Sequence, residues 1–564
     1  MDVVLVGLSG SGKSVVGRRL AAKRAAAFVD LDAEVERAAG TTVAEIFATE
    51  GEAGFRSRER QAIERLGPGG DAPAAVVRRV ISAGGGALVD PRTRWRLVRG
   101  RTLVWLDVRP EVAAQRLRNS RHVRPLVAGS RDPIDALRRQ RAERERFYAA
   151  AAIRLDRVGD PNEVARAVDE RLAAEPEAGA TLSGDVLLRA DTRIGSFVVG
   201  DGIAAPETRA ALERLGARRA VVVSEPGAWR AAGERVATAL AASGIEVVTI
   251  TLPTGEDAKR LSVVERAAGE LAAARAERTD PIVAIGGGAL GDAAGFLAAT
   301  WLRGVPLVHV PTTLVAQIDS SIGGKTAVDI EAGKNLVGAY HQPSAVVVDV
   351  SLLRTLDERQ RRAALGEAAK MAALGDERLF GLLETDGAAI ARGDADAWES
   401  GAVAELVERC LWAKVEVVLG DEREALDGSV SGAGRLALNL GHTVGHAIEA
   451  ATGFGPVPHG EAVAYGLRAA CRLGVAAGVT PRDRAERIER LLDALGLGVD
   501  PVAVDPAAVR EAIDRDKKHA AGRLRWVLPT ADGVLLSTDV ADEPIERAIV
   551  AVTAGRSAQV GAAS

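Results

Sequence analysis

Three of the chain's seven histidines fall within 18 residues, in Asn439-Leu-Gly-His442-Thr-Val-Gly-His446 followed by His459-Gly-Glu461. A single core histidine is ordinary, but neutral imidazole is also the commonest side-chain ligand for a divalent metal. His442 and His446 stand four apart, so on a helix they share one face. A catalytic zinc takes three protein ligands and keeps one position open, so two histidines do not complete a site. Gly366-Glu367-Ala-Ala-Lys370 offers the missing carboxylate. It lies in an apolar run, 363 to 374, that reads as a buried helix with Glu367 and Lys370 on one face. A buried Glu–Lys ion pair is the plainer reading of that spacing.

A second chemistry begins at Gly7-Leu-Ser-Gly10-Ser11-Gly12-Lys13-Ser14, which fits the G-x4-G-K-[ST] phosphate loop completely. Its glycines let backbone N–H groups wrap phosphate oxygens, Lys13 reaches the transferred phosphoryl group and Ser14 ligates magnesium. Asp30-Leu-Asp32 follows a second apolar run and sets two carboxylates at a strand end, one for the magnesium shell and one for a substrate hydroxyl; Asp32 also fits a helix N-cap. Phe55-Arg56 lies in a charged helix, where an arginine is ordinarily solvated. Ile81-Ser-Ala-Gly84-Gly85-Gly86 ends another strand with three glycines, where backbone can approach a ligand closely. Arg121-His-Val-Arg124-Pro-Leu126 reads as a basic lid, and Arg144-Glu-Arg-Phe-Tyr148 lies on the closing helix.

A third cluster is polar. Pro281 to Ile285 leads into Gly286-Gly287-Gly288-Ala-Leu-Gly291-Asp292, a strand, a Gly turn and a helix start that suit a pyrophosphate without being the G-x-G-x-x-G pattern. Pro311-Thr312-Thr313, then Gln317-Ile-Asp319-Ser-Ser-Ile-Gly-Gly-Lys325-Thr326 and Gly333-Lys334-Asn335, crowd lysines, amides and hydroxyls into about 25 positions. That density predicts an anionic ligand. Arg435 stands four before Asn439, and Asp516-Lys517-Lys518 precedes a strand expected over 524–528.

Elements must carry these groups. A chain of 564 residues exceeds one core. Hydrophobic residues at 47%, charged residues at 27% and a net charge of −4 describe a globular protein and exclude a nucleic-acid or polybasic membrane role. Two cysteines, Cys410 and Cys471, make no disulfide framework, so a reducing cytoplasm is expected. The apolar span from Ile282 to Leu302 carries three glycines and Asp292, so it reads as a buried strand, turn and helix and not a membrane segment. Glu175 to Gly184 is a small-residue linker. The pattern predicts an α/β protein: a P-loop domain over 1–172 with a parallel sheet covered by helices on both faces, a linker over 173–185, an α/β domain over 186–357, and a mainly helical domain over 358–564 that carries the metal cluster.

The first segment resembles shikimate kinase. The phosphate loop, Asp-x-Asp, Phe-Arg, Gly-Gly-Gly, Arg-Pro-Leu and Arg-x3-Tyr occur in order. The resemblance implies that Asp32, Arg56, Gly85 and Arg144 hold shikimate. It implies that Arg124 covers the ATP phosphates and that Asp32 orients the attacking hydroxyl, with Mg2+ accompanying ATP.

The second segment resembles 3-dehydroquinate synthase. Gly-Gly-Gly-x-x-Gly-Asp, Pro-Thr-Thr-x-x-Ala-Gln-x-Asp-Ser-Ser-x-Gly-Gly-Lys, Gly-Lys-Asn-Leu, Asn-x-Gly-His-Thr-x-Gly-His and His-Gly-Glu-Ala-Val carry the match. The resemblance implies Glu367, His442 and His459 as ligands of Zn2+ or Co2+. NAD+ is then held by Glu256, Lys259, Gly287, Gly288, Asp292, Thr312, Thr313 and Lys334. Asp319, Lys325, Asn335, Lys370, Arg435, Asn439, His446 and Lys517 face the substrate. His446 becomes an acid/base residue on the phosphate side and not the third ligand. Arg303 completes the phosphate pocket of a neighbouring subunit in a homodimer. Asp329 and Ala364 stand where the family usually has Asn and Gly, and the loop 425–434 is longer than usual.

These readings predict a cytoplasmic bifunctional enzyme with small-molecule substrates. It would phosphorylate shikimate at the 3-hydroxyl and cyclise 3-deoxy-D-arabino-heptulosonate 7-phosphate to 3-dehydroquinate. The alternatives are a different sugar-phosphate cyclase or a metal-dependent alcohol dehydrogenase in the second segment, and a non-catalytic nucleotide-binding module in the first.

Overall fold

The computed structural model describes residues 1–67, 69, 76–118, 132–156, 159–174, 186–331, 333–423, 434–515, 519–520, 523–537 and 539–554. The expected lid with Arg124, most of the linker, most of the longer loop and Lys517 lie outside the described residues. The chain divides into two compact units: residues 1–218, 235–247 and 347–351, and residues 219–234, 248–346 and 352–564.

The N-terminal part of the first unit is built on five short strands, β1 (Asp2–Val6), β2 (Ala27–Asp30), β3 (Arg79–Ser82), β4 (Arg101–Leu106) and β5 (Ile153–Leu155), in the order β2-β3-β1-β4-β5. Every pairing is parallel. β1 is Asp-Val-Val-Leu-Val and buried throughout, as a central parallel strand covered on both faces requires. All five strands point the same way, so their carboxyl ends share one edge. Three loops from that edge matter: 7–12 into helix α1 (Lys13–Lys23), Asp30 into α2 (Leu31–Ala39), and 83–88 after β3. The neighbours of β1 are β3 and β4, so the phosphate loop sits at the topological switch point, where such sheets bind ligands. Helix α3 (Val43–Leu66) opens on a capping box between Thr42 and Glu45. Helix α4 (Pro133–Tyr148) starts on Asp132, whose carboxylate accepts from the N–H groups of Ile134 and Asp135.

A seven-stranded sheet runs β6-β7-β14-β11-β10-β8-β9, with β6 (Val186–Thr192), β7 (Gly195–Gly200), β8 (Arg219–Ser224), β9 (Glu246–Thr251), β10 (Ile282–Gly286), β11 (Leu307–Pro311) and β14 (Ala345–Asp349). β8, β10, β11 and β14 pair in parallel, whereas β6 and β7 form an antiparallel pair. The apolar span from Ile282 resolves into β10, a Gly turn and helix α5 (Gly288–Thr300). Among the described residues no helix is long and apolar enough to cross a membrane. An antiparallel hairpin, β12 (Lys325–Ile330) with β13 (Gly333–Tyr340), carries the Lys-Thr and Gly-Lys-Asn motifs.

From residue 358 the second unit is largely helical. Four of its helices matter here: α6 (Glu358–Ala373), α7 (Ala402–Gly420), α8 (His442–Ala451) and α9 (His459–Ala476). α6 begins five residues before the apolar run, because Asp357 and Gln360 form a capping box that extends it. Every residue of α6 from Ala363 to Ala373 is buried. The last strand expected from sequence, 524–528, is two pieces, Arg523–Leu524 and Trp526–Pro529, paired with His519–Ala520 and Val534–Ser537 respectively.

Candidate active sites

Small residues let three helices of the second unit meet. A Cβ built on Gly366 of α6 would stand 2.0 Å from the Gly460 carbonyl oxygen of α9. One on Gly466 of α9 would stand 1.7 Å from the carbonyl oxygen of Gly441, which precedes α8, and one on Gly445 would stand 3.0 Å from Ala462 O. Only glycine permits such backbone approach. Each of these contacts neighbours a candidate ligand: Gly366 precedes Glu367, Gly441 precedes His442, Gly445 precedes His446 and Gly460 follows His459.

The side chains then converge. Glu367 Oε1 lies 3.4 Å from His442 Nε2 and 3.1 Å from His459 Nε2. It is fully buried and accepts no hydrogen bond of normal geometry. The opposite ring nitrogens are engaged: His442 Nδ1 is 3.2 Å from Leu440 O, and His459 Nδ1 is 3.1 Å from Glu449 Oε2. Such partners fix the tautomer and leave Nε2 for a metal. One carboxylate oxygen and two Nε2 atoms aimed at one point fit a catalytic Zn2+ or Co2+ site. The ligand atoms of His442, His446 and His459 also lie within 4.8 Å of one another. The His446 ring stacks on His459 at 5.6 Å. All four groups are therefore brought together.

Charge is arranged to match. Burial opposes ionisation of Glu367, but Lys370 and then the imidazoles outweigh it and hold the carboxyl well below the usual range. Burial pulls His442 down. For His459 burial acts the same way, but the nearby Glu367 and Glu449 carboxylates overcome it and push the ring up to about 10. Carboxylates that favour a proton there also favour a cation. The plainer Glu–Lys reading holds as well, since Lys370 Nζ lies 2.6 Å from Glu367 Oε2. Beyond it, Asp319 Oδ1 is 4.0 Å from Lys370 Nζ and 2.5 Å from Lys414 Nζ. Burial opposes ionisation of Asp319 too, and the two lysines outweigh it. The Arg435 guanidinium donates to Gly323 O at 2.9 Å and Glu422 O at 2.6 Å, beside the motif that ends in Lys325.

The polar cluster gathers around the start of α5. Lys259 Nζ reaches Asp292 Oδ2 at 2.7 Å and Asn335 Oδ1 at 2.5 Å. Burial raises the Asp292 carboxyl in spite of Lys259. Lys334 Nζ pairs with Glu256 Oε2 at 3.0 Å. Thr312 N–H donates to Gly286 O, and a Cβ on Gly287 would meet Thr313 Cγ2 at 3.2 Å. Gly287 caps α5 in extended geometry, and Gly288 opens the helix. Asn335 is a non-glycine at φ 55°, held by its N–H to Asp329 Oδ1 at 2.8 Å. Arg303 lies on a separate turn, Trp301–Arg303, at φ 68°.

In the first unit Gly10 and Gly12 adopt φ 83° and 96°, the left-handed turns a phosphate loop needs. Lys13 Nζ donates to Gly7 O and Leu8 O, each at 2.9 Å, and lies 3.5 Å from Ser11 Oγ. Ser14 Oγ lies 3.3 Å from Ser82 Oγ at the end of β3. Asp32 sits in the first turn of α2, one residue inside the strand-to-helix junction and not at the N-cap, which is Asp30. The triple glycine is the hub. A Cβ on Gly84 would meet Glu59 Oε1 at 2.4 Å and Asp32 Oδ1 at 3.3 Å, and one on Gly86 would meet Arg56 Nη2 at 2.2 Å. Arg144 Nη1 donates to Gly85 O at 2.9 Å. Arg56 is not simply solvated: it pairs with the buried Glu59 at 2.7 Å. Burial raises the Glu59 carboxyl despite that arginine.

Residues 9–173 match the shikimate kinase family model. Residues 249–363 and 364–519 match the N-terminal and C-terminal 3-dehydroquinate synthase models. The 3-dehydroquinate synthase of Nostoc punctiforme is 41% identical over 335 residues, 59% of this chain and 89% of its own. That of Halorhodospira halophila is 44% identical over 330 residues, 58% and 88% respectively. The chain belongs to the 3-dehydroquinate synthase family, with a shikimate kinase domain fused ahead of it. Among solved structures, the 2-epi-5-epi-valiolone synthase of Streptomyces hygroscopicus subsp. jinggangensis 5008, with NAD+ and Zn2+ bound, is 28% identical at a TM-score of 0.57 and covers 64% of this chain and 96% of its own. A 2-deoxy-scyllo-inosose synthase complexed with carbaglucose-6-phosphate, NAD+ and Co2+ is 27% identical at 0.54, covering 63% and 96%.

Four polar residues of this chain escape a reading of sequence alone. Lys414 is the single lysine of helix α7, which also carries Glu405, Glu408, Arg409 and Glu416, so its charge does not stand out in sequence. Glu449 stands three after His446 and seven after His442, on the ligand face of α8. Glu59 stands three after Arg56. Glu225 follows β8 and accepts from Gly255 N–H at 3.1 Å, which ties the strand end to the Glu256 turn; nothing local in sequence marks it.

Proposed function

We propose that the chain carries out two steps of the shikimate pathway. The synthase part, from about residue 186, converts 3-deoxy-D-arabino-heptulosonate 7-phosphate to 3-dehydroquinate and phosphate. The kinase part, residues 1–172, transfers phosphate from ATP to the 3-hydroxyl of shikimate. Residues 173–185 link them, 186–357 hold NAD+, and 358–564 hold the metal and most of the substrate contacts. The observation that carries the synthase reading is Glu367 Oε1 facing two imidazole Nε2 atoms at 3.4 and 3.1 Å.

When bound, NAD+ supplies a reversible hydride acceptor and Zn2+ or Co2+ a Lewis acid that acidifies a hydroxyl. Glu367, His442 and His459 would hold the cation. Lys259, Asp292, Glu256, Lys334, Thr312, Thr313 and the Gly287–Gly288 backbone would hold the dinucleotide, its pyrophosphate at the α5 N-terminus. Lys370 and Lys414, aligned by Asp319, present two ammonium groups in a buried pocket where charge is poorly screened. Asn335 and Arg435 orient the substrate beside them. Lys325 and Lys517 neutralise the substrate phosphate, Asn439 donates a hydrogen bond to it, and His446 holds or moves a proton at a ring nitrogen beside it. Arg303 serves the phosphate pocket of a second copy in a homodimer.

In the kinase part Lys13, the Gly10–Gly12 backbone and Arg124 neutralise the triphosphate, and Ser14 supplies a hydroxyl to Mg2+. Arg56 and Arg144 bind the shikimate carboxylate through their planar forks. Asp32 orients the attacking hydroxyl and accepts its proton. The enzyme works in the cytoplasm.

Both activities are assayed on the purified chain, with and without a chelator. Cyclisation is expected to stop with chelator and to proceed without net NADH. Phosphoryl transfer is expected to survive once excess Mg2+ is returned, and to vanish in Lys13→Ala. Steady NADH accumulation would instead identify an alcohol dehydrogenase, and no transfer to shikimate by wild type would leave the first domain a binding module.

A further inference from the structure

The Arg-x3-Tyr motif ends in Tyr148, whose side chain is buried on the last turn of α4. Its hydroxyl donates to the Gly85 carbonyl oxygen, the same atom that receives Arg144 Nη1 at 2.9 Å. The flanking glycines spend their carbonyls locally: Gly84 O accepts from Ala87 N–H at 3.1 Å and Gly86 O from Val89 N–H at 3.0 Å. The Gly85 carbonyl is held instead by donors 59 and 63 positions further along the chain.

That difference has a consequence for the pocket. Three successive glycines have the freest backbone a chain can offer, so nothing intrinsic fixes the peptide plane between Gly85 and Gly86. A trans peptide is planar, so its C=O and N–H point in opposite directions. A carbonyl oxygen has two lone pairs. Arg144 and Tyr148 together occupy both and stop the plane from turning. Holding the carbonyl in one direction fixes where the Gly86 N–H points. It also holds the Gly86 Cα, on which a Cβ would sit 2.2 Å from Arg56 Nη2. The phenol is well placed as the second donor. Its ring packs on Trp105 at 5.8 Å between centroids, and burial, outweighing Arg144, keeps it above its ordinary pKa and so protonated.

We infer that Tyr148 is a positioning residue for shikimate: with Arg144 it clamps the Gly85–Gly86 peptide and so presets the acceptor side of the kinase site. This rests on the reading of Gly85 and Arg144 as shikimate contacts. It assigns no part in ATP binding to Tyr148, because its hydroxyl bonds the carbonyl of the β3 loop, although Gly85 itself packs on Ser9 of the phosphate loop.

The test is Tyr148→Phe in the full chain, which keeps the ring and removes one donor. The KM for shikimate should rise about five- to tenfold, the loss of one buried hydrogen bond. The KM for ATP and the synthase rate should stay within twofold. Direct titration with shikimate and with ATP, each alone, should show the same selectivity. An unchanged shikimate KM overturns the inference. Equal weakening of both ligands also overturns it, since that marks a general loss of packing. Arg144→Ala separates the two layers. If it leaves shikimate binding intact, the underlying site reading fails; if it weakens shikimate while Tyr148→Phe does not, only the clamp fails.

Discussion

Gly366 lies against Gly460: a Cβ on either would stand about 2 Å from a carbonyl oxygen of the facing helix, 2.0 Å to Gly460 O and 1.9 Å to Ala363 O. Glu367 and His459, their immediate neighbours, meet at 3.1 Å because of that crossing. Gly460→Ala should force α6 and α9 apart. The variant is expected to lose stoichiometric zinc and cyclisation while phosphorylating shikimate normally. A variant that retains one tightly held zinc per chain would show that the helices do not need this contact.

Glu449 supports the site from outside. Its Oε2 lies 3.1 Å from His459 Nδ1 and so selects the tautomer that offers Nε2. Loss of such a partner costs about 10- to 100-fold in metal affinity. Chelator competition on Glu449→Ala should read a shift in that range, and Glu449→Gln, which keeps an acceptor but not the charge, a smaller one. Identical zinc affinity in all three proteins would remove Glu449 from the metal site.

His446 tests how the four converging groups divide their work. Its ring sits within ligand distance of the other two histidines, yet Glu367 already points at both of their Nε2 atoms. With Glu367 as third ligand, His446→Ala should bind a full complement of zinc and lose turnover. Metal analysis showing substoichiometric zinc in that variant would make His446 the ligand.

Legibility followed locality. The phosphate loop, the triple glycine and the Asn-x-Gly-His-Thr-x-Gly-His stretch are contiguous, so their chemistry could be read directly, and for the phosphate loop the strand-to-helix setting as well. Glu367 could be offered as the missing carboxylate, but its joining to His442 and His459 in place of His446 came from family resemblance, because 75 positions separate Glu367 from His442 and no periodicity connects them. The glycines that seat the three helices belong to visible motifs, but a glycine's use as a crossing point exists only once its partner helix is in place. Lys414 and Glu449 were hidden for a related reason. A charged residue on a helix is ordinarily on its wet face, and which face is wet depends on what packs there. Arg56 went the same way, although its i+3 partner Glu59 was in view.

His309 gives the synthase part a pH-dependent stability separate from its chemistry. It lies on β11, buried, and a Cβ on Gly291 of α5 would touch its Cε1 at 3.4 Å. Burial, with a smaller push from His341, lowers its pKa from 6.5 to about 4. Between those values the unfolded chain binds a proton that the folded chain refuses, so unfolding is favoured as pH falls. The stability held above pH 6.5 is therefore lost progressively down to about pH 4, by roughly 3 kcal/mol at about 1.4 kcal/mol per pKa unit. His309→Gln disturbs packing at every pH but carries no such proton. Urea unfolding followed by loss of synthase activity should show the wild-type midpoint falling toward that of His309→Gln between pH 6.5 and 4.5. Parallel pH profiles for the two proteins would mean that the ring is protonated in the folded state.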